Sequence, residues 1–203
     1  MILRILIVLV ALTGVYTAWR AFSLHEAYTT LREAPQGQAI GPADAKLTVV
    51  ELMDYRCKPC RAVNATVREA AQRHPDVRFV FRHRPIYQKP SVHEAQIALA
   101  AGKQGKFLAM HELLMVRDLP VDDAKDLPGL CQQAGVDCGR LMHDIHDTDI
   151  GRTIVQTMRD AELLKIKADP SFIIGHTVFD THMGMPTTAD FDNLIAGAQA
   201  GKF

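Results

Sequence analysis

The pair Cys57-Lys58-Pro59-Cys60, set between an apolar run and a helical pattern, constrains this 203-residue chain more than any other feature. Two thiols separated by two residues can share one disulfide and exchange it. Leu47 to Met53 is rich in β-branched and aliphatic residues, as a central strand is, whereas Ala62 to Gln72 carries helical periodicity. The pair thus falls at a strand-to-helix junction, where unpaired amide hydrogens and the helix dipole favour an anion. There the Cys57 thiolate is stabilised relative to a free cysteine of pKa about 8.5. Lys58 and Arg61 add positive charge beside it. A lower pKa makes the sulfur a better leaving group and tilts the pair toward oxidising power. Two other uses fit the same spacing: half of a tetrahedral zinc site, and a disulfide that never turns over. Zinc needs two further ligands. His74 and His83 are separated by a predicted strand, and Cys131 and Cys138 have no short-spaced partner pattern. Redox exchange is the favoured expectation.

The N-terminus bears on compartment. Ile5 to Trp19 is an uncharged run of fifteen residues between Arg4 and Arg20, the pattern of an export signal or a short membrane anchor over residues 1–22. A small-x-small cleavage site is hard to find, because a cut after Ala18 has Tyr16 before it and a cut after Ala21 has Trp19. Tyr16 and Trp19 suit the bilayer interface and Arg20 can snorkel, so an uncleaved anchor with the bulk of the chain outside is preferred. The expected location is the periplasm or cell envelope, where dithiols are held oxidised. Setting Arg4 and Arg20 aside from 23 basic residues leaves 21 against 23 acidic ones, which gives no case for nucleic acid as a partner. About 180 residues remain, enough for one well-cored domain. Residues 23–38 read as a stalk or linker, Gln36 to Lys46 as the lead-in, and 39–203 as the domain.

The order of elements is more diagnostic than any one of them. A strand at Leu47–Met53, a helix at Ala62–Arg73 and a strand at Val77–Arg82 precede a helical block at about 88–166. Its helices are expected at Val92–Ala101, Lys106–Arg117, Asp123–Ala134, Asp137–Asp147 and Gly151–Lys165, the third weakened by Pro128. A hairpin of Phe172–Ile174 and Thr177–Phe179 and a helix at Phe191–Ala200 close the chain. The class is α/β.

The segments Glu51-Leu-Met-Asp-Tyr-Arg-Cys-Lys-Pro-Cys60, Asp76-Val-Arg-Phe-Val-Phe-Arg82, Ala98-Leu-Ala-Ala-Gly-Lys-Gln-Gly-Lys-Phe107 and Asp169-Pro-Ser-Phe-Ile-Ile-Gly175 resemble the DsbA family of exported thiol-disulfide oxidoreductases. The likeness is greatest to its ScsC-like members and covers roughly Ala39 to Gly201. It implies a thioredoxin fold with an inserted helical domain, Cys57 as the exposed attacking sulfur, Cys60 as the buried resolving one, and Pro170 as a cis-proline facing them. On the residues alone, Pro170 reads as an ordinary trans proline at a strand start. A client cysteine is expected to lie extended against residues 168–170.

Two positions depart from the family pattern. Asp169 stands where relatives carry threonine or valine; it can assist proton transfer, or oppose the Cys57 thiolate when ionised. Lys58-Pro59 replaces the histidine or tyrosine of strongly oxidising relatives, so an intermediate potential is expected. Glu51 either relays a proton to Cys60 or points to solvent. Tyr55 is assigned to packing. Cys131 and Cys138 form the local candidate for a structural disulfide. His74, His93, His111, His143 and His146 are read as surface or helix-packing residues, and His176 and His182 as flanking the strand after Pro170.

The expected reaction introduces disulfides into exported cysteine-containing proteins and needs no metal, nucleotide or flavin. A membrane redox partner restores the dithiol, and a monomer is the expected state. Isomerase or reductase is the alternative direction, and a membrane-tethered binding or assembly module with a structural disulfide is the alternative class.

Overall fold

The structure is a computed structural model that describes residues 2–181 and 184–202; His182 lies outside the described residues. Five strands form one sheet in the order β1-β3-β2-β4-β5. They are β1 (Ala39–Ile40), β2 (Thr48–Met53), β3 (Arg78–His83), β4 (Ser171–Ile174) and β5 (Thr177–Asp180). β2 and β3 run parallel, joined by α2 (Lys58–Arg73), and the other pairings are antiparallel. Alternation along β2 sends Val49 and Met53 into one core and Val50 and Leu52 into the other.

The larger core lies under α2 and α8 (Thr188–Gln199) and extends into the helical segment. That segment comprises α3 (Gln88–Gly102), α4 (Phe107–Met115), α5 (Leu127–Ala134), α6 (Cys138–Asp144) and α7 (Thr148–Leu163), all between β3 and β4. In α2 the buried residues Cys60, Val63, Val67, Ala70 and Ala71 recur at helical spacing, so one stripe faces the sheet. The opposite core gathers Leu31, Val50, Leu52, Val80, Ala161, Ile166 and Ile173.

Three expectations change. Residues 23–38 are not a free stalk. A single helix, α1 (Ile2–Leu31), carries Ala27 and Leu31 into the core, and Gln36 and Gln38 are buried behind it. Apolar residues at positions 27 and 31 share one helix face, and the sheet needs that face covered. The lead-in at 36–46 contains β1, which pairs Ala39 with Val80. Pro128 does not interrupt a helix begun at Asp123 but sits in the first turn of α5, where a missing amide hydrogen costs nothing. Gly135, at φ 69°, ends α5 in the left-handed region and returns the chain so that Cys131 and Cys138 are disulfide-bonded, with Cα atoms 5.5 Å apart.

Candidate functional site

The site forms where β2 ends. Cys57 is the N-cap of α2, with extended backbone angles, and its sulfur accepts the Cys60 backbone N–H at 3.3 Å. Pro59 falls in the first turn, where it needs no amide hydrogen. α2 therefore begins at the dithiol itself rather than at Ala62, and its first turn holds both cysteines, which are unbonded to each other.

The environment separates the two sulfurs. Hydrogen bonding from the Cys60 thiol and backbone pulls the Cys57 pKa down, against burial and the nearby carboxylates of Asp169 and Asp54. Burial above all pushes the Cys60 thiol far up, with Cys57 and Glu51 adding to it. The expected exposure of Cys57 is corrected: the residue is only 2% exposed, against 0% for Cys60, because the turn before Pro170 closes over it. Cys57 Sγ donates to the Asp169 carbonyl oxygen at 3.4 Å.

The Asp169–Pro170 peptide bond is cis. The Asp169 side chain is fully buried and accepts from Arg84 Nε at 2.8 Å, while its Oδ2 has no hydrogen-bond partner. Burial raises its pKa to about 6 against the pull of Arg84. Arg84 also donates to the Ile166 carbonyl at 3.4 Å, tying the end of β3 to the turn that carries Asp169.

Glu51 is buried rather than solvent-facing. The alternation of β2 turns it toward the core that contains Cys57 and Cys60, and neither carboxylate oxygen has a hydrogen-bond partner. Burial, reinforced by Cys57 and Asp169, raises its pKa to about 8. Asp54 instead accepts from the backbone N–H groups of Arg56 (2.8 Å), Ile86 (2.7 Å) and Tyr87 (3.3 Å), pinning the loop after β3 to the loop before α2.

Of the two flanking cations, Lys58 is exposed and Arg61 is committed elsewhere, donating to the Tyr55 carbonyl and to Asp118 at 3.0 Å. Tyr55 is buried, and its hydroxyl lies between His111 Nδ1 (3.0 Å) and His83 Nε2 (3.1 Å). His111 continues to Asn64 at 3.2 Å. Burial lowers both histidines to about 3, so they are neutral packing groups at physiological pH. His111 is thus interior rather than a surface residue. His74 pairs with Asp192, His93 with Asp123 and His143 with Asp144. His146 is exposed. His176 packs edge-on against Tyr28 at the β4–β5 turn, the far end of β4 from Pro170. No group of three or more His, Cys, Asp or Glu among the described residues is arranged to hold a metal ion.

Arg84 and the His83–Tyr55–His111 chain escaped the sequence reading. The one signal for Arg84 was a cation directly after β3 in a chain whose Asp169 needed a partner.

The chain matches the family model described as thioredoxin over residues 33–195. A thioredoxin-like oxidoreductase from Silicibacter pomeroyi is 29% identical, with a TM-score of 0.76 over 84% of this chain and 96% of that one. The catalytic domain of Proteus mirabilis ScsC shares the fold at 22% identity, with a TM-score of 0.74 over 88% and 97% of the two chains. Among curated proteins, the Na(+)/H(+) antiporter NhaA 1 of Salinispora arenicola is 32% identical over 139 residues, which is 66% of this chain and 21% of the antiporter. The chain thus spans about a fifth of the length of that relative.

Proposed function

This chain belongs to the thioredoxin family, and on that premise we propose that it is an exported, membrane-anchored enzyme that exchanges thiols and disulfides through Cys57 and Cys60. Its fold is that of the DsbA-like and ScsC-like members. The observation that carries the proposal is the placement of Cys57 at the N-cap of α2, with Cys60 one turn behind it and the Asp169–Pro170 turn in front.

In the oxidising direction a client thiolate attacks Cys57 Sγ of the Cys57–Cys60 disulfide, and Cys60 leaves as a thiolate that takes a proton from Glu51. A second client thiolate then attacks the client sulfur of the mixed disulfide and expels Cys57. Two client thiols become a disulfide, and the enzyme disulfide becomes two thiols. Asp169 and Pro170 position the client segment as an added strand. Lys58 and Pro59 set an intermediate potential, and the bridge between Cys131 and Cys138 braces the helical segment.

Clients are exported cysteine-containing proteins, and a membrane redox partner restores the working state. The helix from Arg4 to Leu31 is long and apolar enough to cross a membrane, which supports the anchor. A second reading, isomerase or reductase, draws on Asp169 and Asp54, whose charges oppose the Cys57 thiolate and so destabilise the reduced pair, which moves the potential toward the reducing end.

Trapping tests the proposal. Cys60→Ser is expected to hold mixed disulfides between Cys57 and client proteins, and Cys57→Ser to hold none. Equal failure of both variants to trap, with wild-type Cys57 inert to alkylation in the folded state, would support the non-catalytic module.

A further inference from the structure

α7 carries more apolar surface than the domain buries. Its inner stripe of Ile150, Ile154, Thr157 and Ala161 is buried at helical spacing. The stripe beside it is apolar as well but stays in solvent, with Val155 49% and Met158 38% exposed. With Val92 and Gln96 of α3, these two side chains line a groove of about 620 Å³. The groove follows α7 from Gly151 to Glu162, which is about 17 Å of helix. An extended segment of about five residues spans that length.

One end of the groove is tied to the dithiol by direct contacts. Arg84 and Ile166 line it, Arg84 donates to the Ile166 carbonyl and to Asp169, and the Asp169 carbonyl accepts from Cys57. A chain extended against residues 168–170 therefore reaches the groove once it passes Ile166. That continuity matches the groove to a client rather than to a ligand unrelated to the exchange.

The charges around the groove say what kind of client. Arg159 lines it and is exposed, and the exposed Lys165 and Lys167 flank Ile166 on the segment that leads into Asp169. Among the described residues none of these three cations has an ion pair, whereas Arg84 is taken by Asp169. Glu162 is the one carboxylate among the described lining residues. The groove is thus apolar along its length and positive near the end that meets the dithiol.

We propose that this groove receives the client's own chain on one side of its reactive cysteine. It favours apolar segments with an acidic side chain about four to six residues from that cysteine, set against Arg159. This rests on the exchange reading above and narrows the clients of that same site.

Two peptides test it on the reduced full chain in uncharged detergent. Each holds one cysteine among apolar residues, with either glutamate or lysine about five residues to either side, and carries thionitrobenzoate on the cysteine. The Cys57 thiolate attacks the peptide sulfur, the peptide disulfide breaks, and thionitrobenzoate leaves as a coloured thiolate that reads the rate. Dithiodipyridine, neutral and too short to reach the groove, reads Cys57 by itself. The expected result is that the glutamate peptide reacts about fivefold faster than the lysine peptide, and that Arg159→Glu cancels the preference with the dithiodipyridine rate unchanged. Val155→Ser with Met158→Ser, both at exposed positions, should slow both peptides by at least about threefold, again without effect on dithiodipyridine. Equal peptide rates beside a reactive Cys57, or a preference that survives Arg159→Glu, overturn the groove and leave the exchange reading standing. Folded protein inert to dithiodipyridine overturns the exchange reading and the groove with it. Peptide rates indifferent to charge that fall when phosphatidylglycerol joins the micelles, in the wild type but not in Arg159→Glu, assign the groove to anionic lipid and overturn the client proposal.

Discussion

Replacing Glu51 with glutamine is expected to slow the step in which Cys60 releases a client from Cys57, the reverse of the first step of client oxidation. When a client is held on Cys57, Cys60 must lose its proton to attack Cys57 Sγ, and burial holds that proton firmly. Glu51 faces the same core with both oxygens free of hydrogen bonds and titrates at about 8, so at pH 7 about one carboxyl in ten is ionised and able to accept it. A positioned general base contributes about 10²–10⁴ in rate, so resolution should slow on the order of 10²-fold at pH 8, with formation of the mixed disulfide from reduced Cys57 and a peptide disulfide little changed. Rapid acid quenching of the Cys57 adduct with a cysteine peptide, followed by mass analysis, measures both steps. In the wild type the resolving rate should rise as pH passes through about 8, and in Glu51→Gln it should not. The same carboxyl links stability to pH. Its folded pKa is raised from 4.5 to about 8, so the stability it contributes is whole below pH 4.5 and is lost as pH rises through 8. The full loss is on the order of 5 kcal/mol. Denaturant titration of the reduced protein should show that slope in the wild type and lose it between about pH 6 and 8 in Glu51→Gln, the slope below that range persisting through Asp169. A variant that resolves within about twofold of the wild type, where a base is worth at least about 10², refutes the relay.

Asp169→Asn should lower the Cys57 pKa, because a carboxylate that opposes the thiolate is gone; thiolate absorbance against pH reads the shift, and an unchanged or raised value contradicts it. The same change strands the partly buried Arg84 and should cost about 2–3 kcal/mol in denaturant titration. Removing both cysteines of the bridge, Cys131→Ala with Cys138→Ala, opens a short loop (sequence separation 7) and should cost about 2.5 kcal/mol. Exchange rates at Cys57 should be unaffected, and a large loss of rate would tie the helical segment to the chemistry.

The strand, dithiol and helix were legible because residue type and spacing act locally. Cys57 and Cys60 fall one helical turn apart whatever surrounds them, and the apolar Val49, Val50, Leu52 and Met53 call for burial, while the side of Glu51 stayed open. Pro170 in the cis form came from family likeness, since its own neighbours favour trans. What stayed hidden depends on partners distant in sequence. β1 is two residues long and exists because β3 offers an edge. The docking of α1 needs a face on α7 and the sheet, so residues 23–38 read as a stalk when taken alone. Arg84 gains its role only when folding brings Asp169 to it across 85 residues, and Tyr55 acquires two histidine partners from β3 and α4 in the same way.

Equilibration of the full chain with glutathione buffers, followed by alkylation and mass analysis of the Cys57 and Cys60 peptides, tests the central claim most directly. Thiol-disulfide exchange by this pair predicts that the two sulfurs titrate together as one two-electron couple, at a potential of roughly −120 to −270 mV. A midpoint near the upper end assigns oxidase, and one near the lower end assigns reductase or isomerase. Two sulfurs that remain in one state across that whole range, and react only after unfolding, would contradict the account.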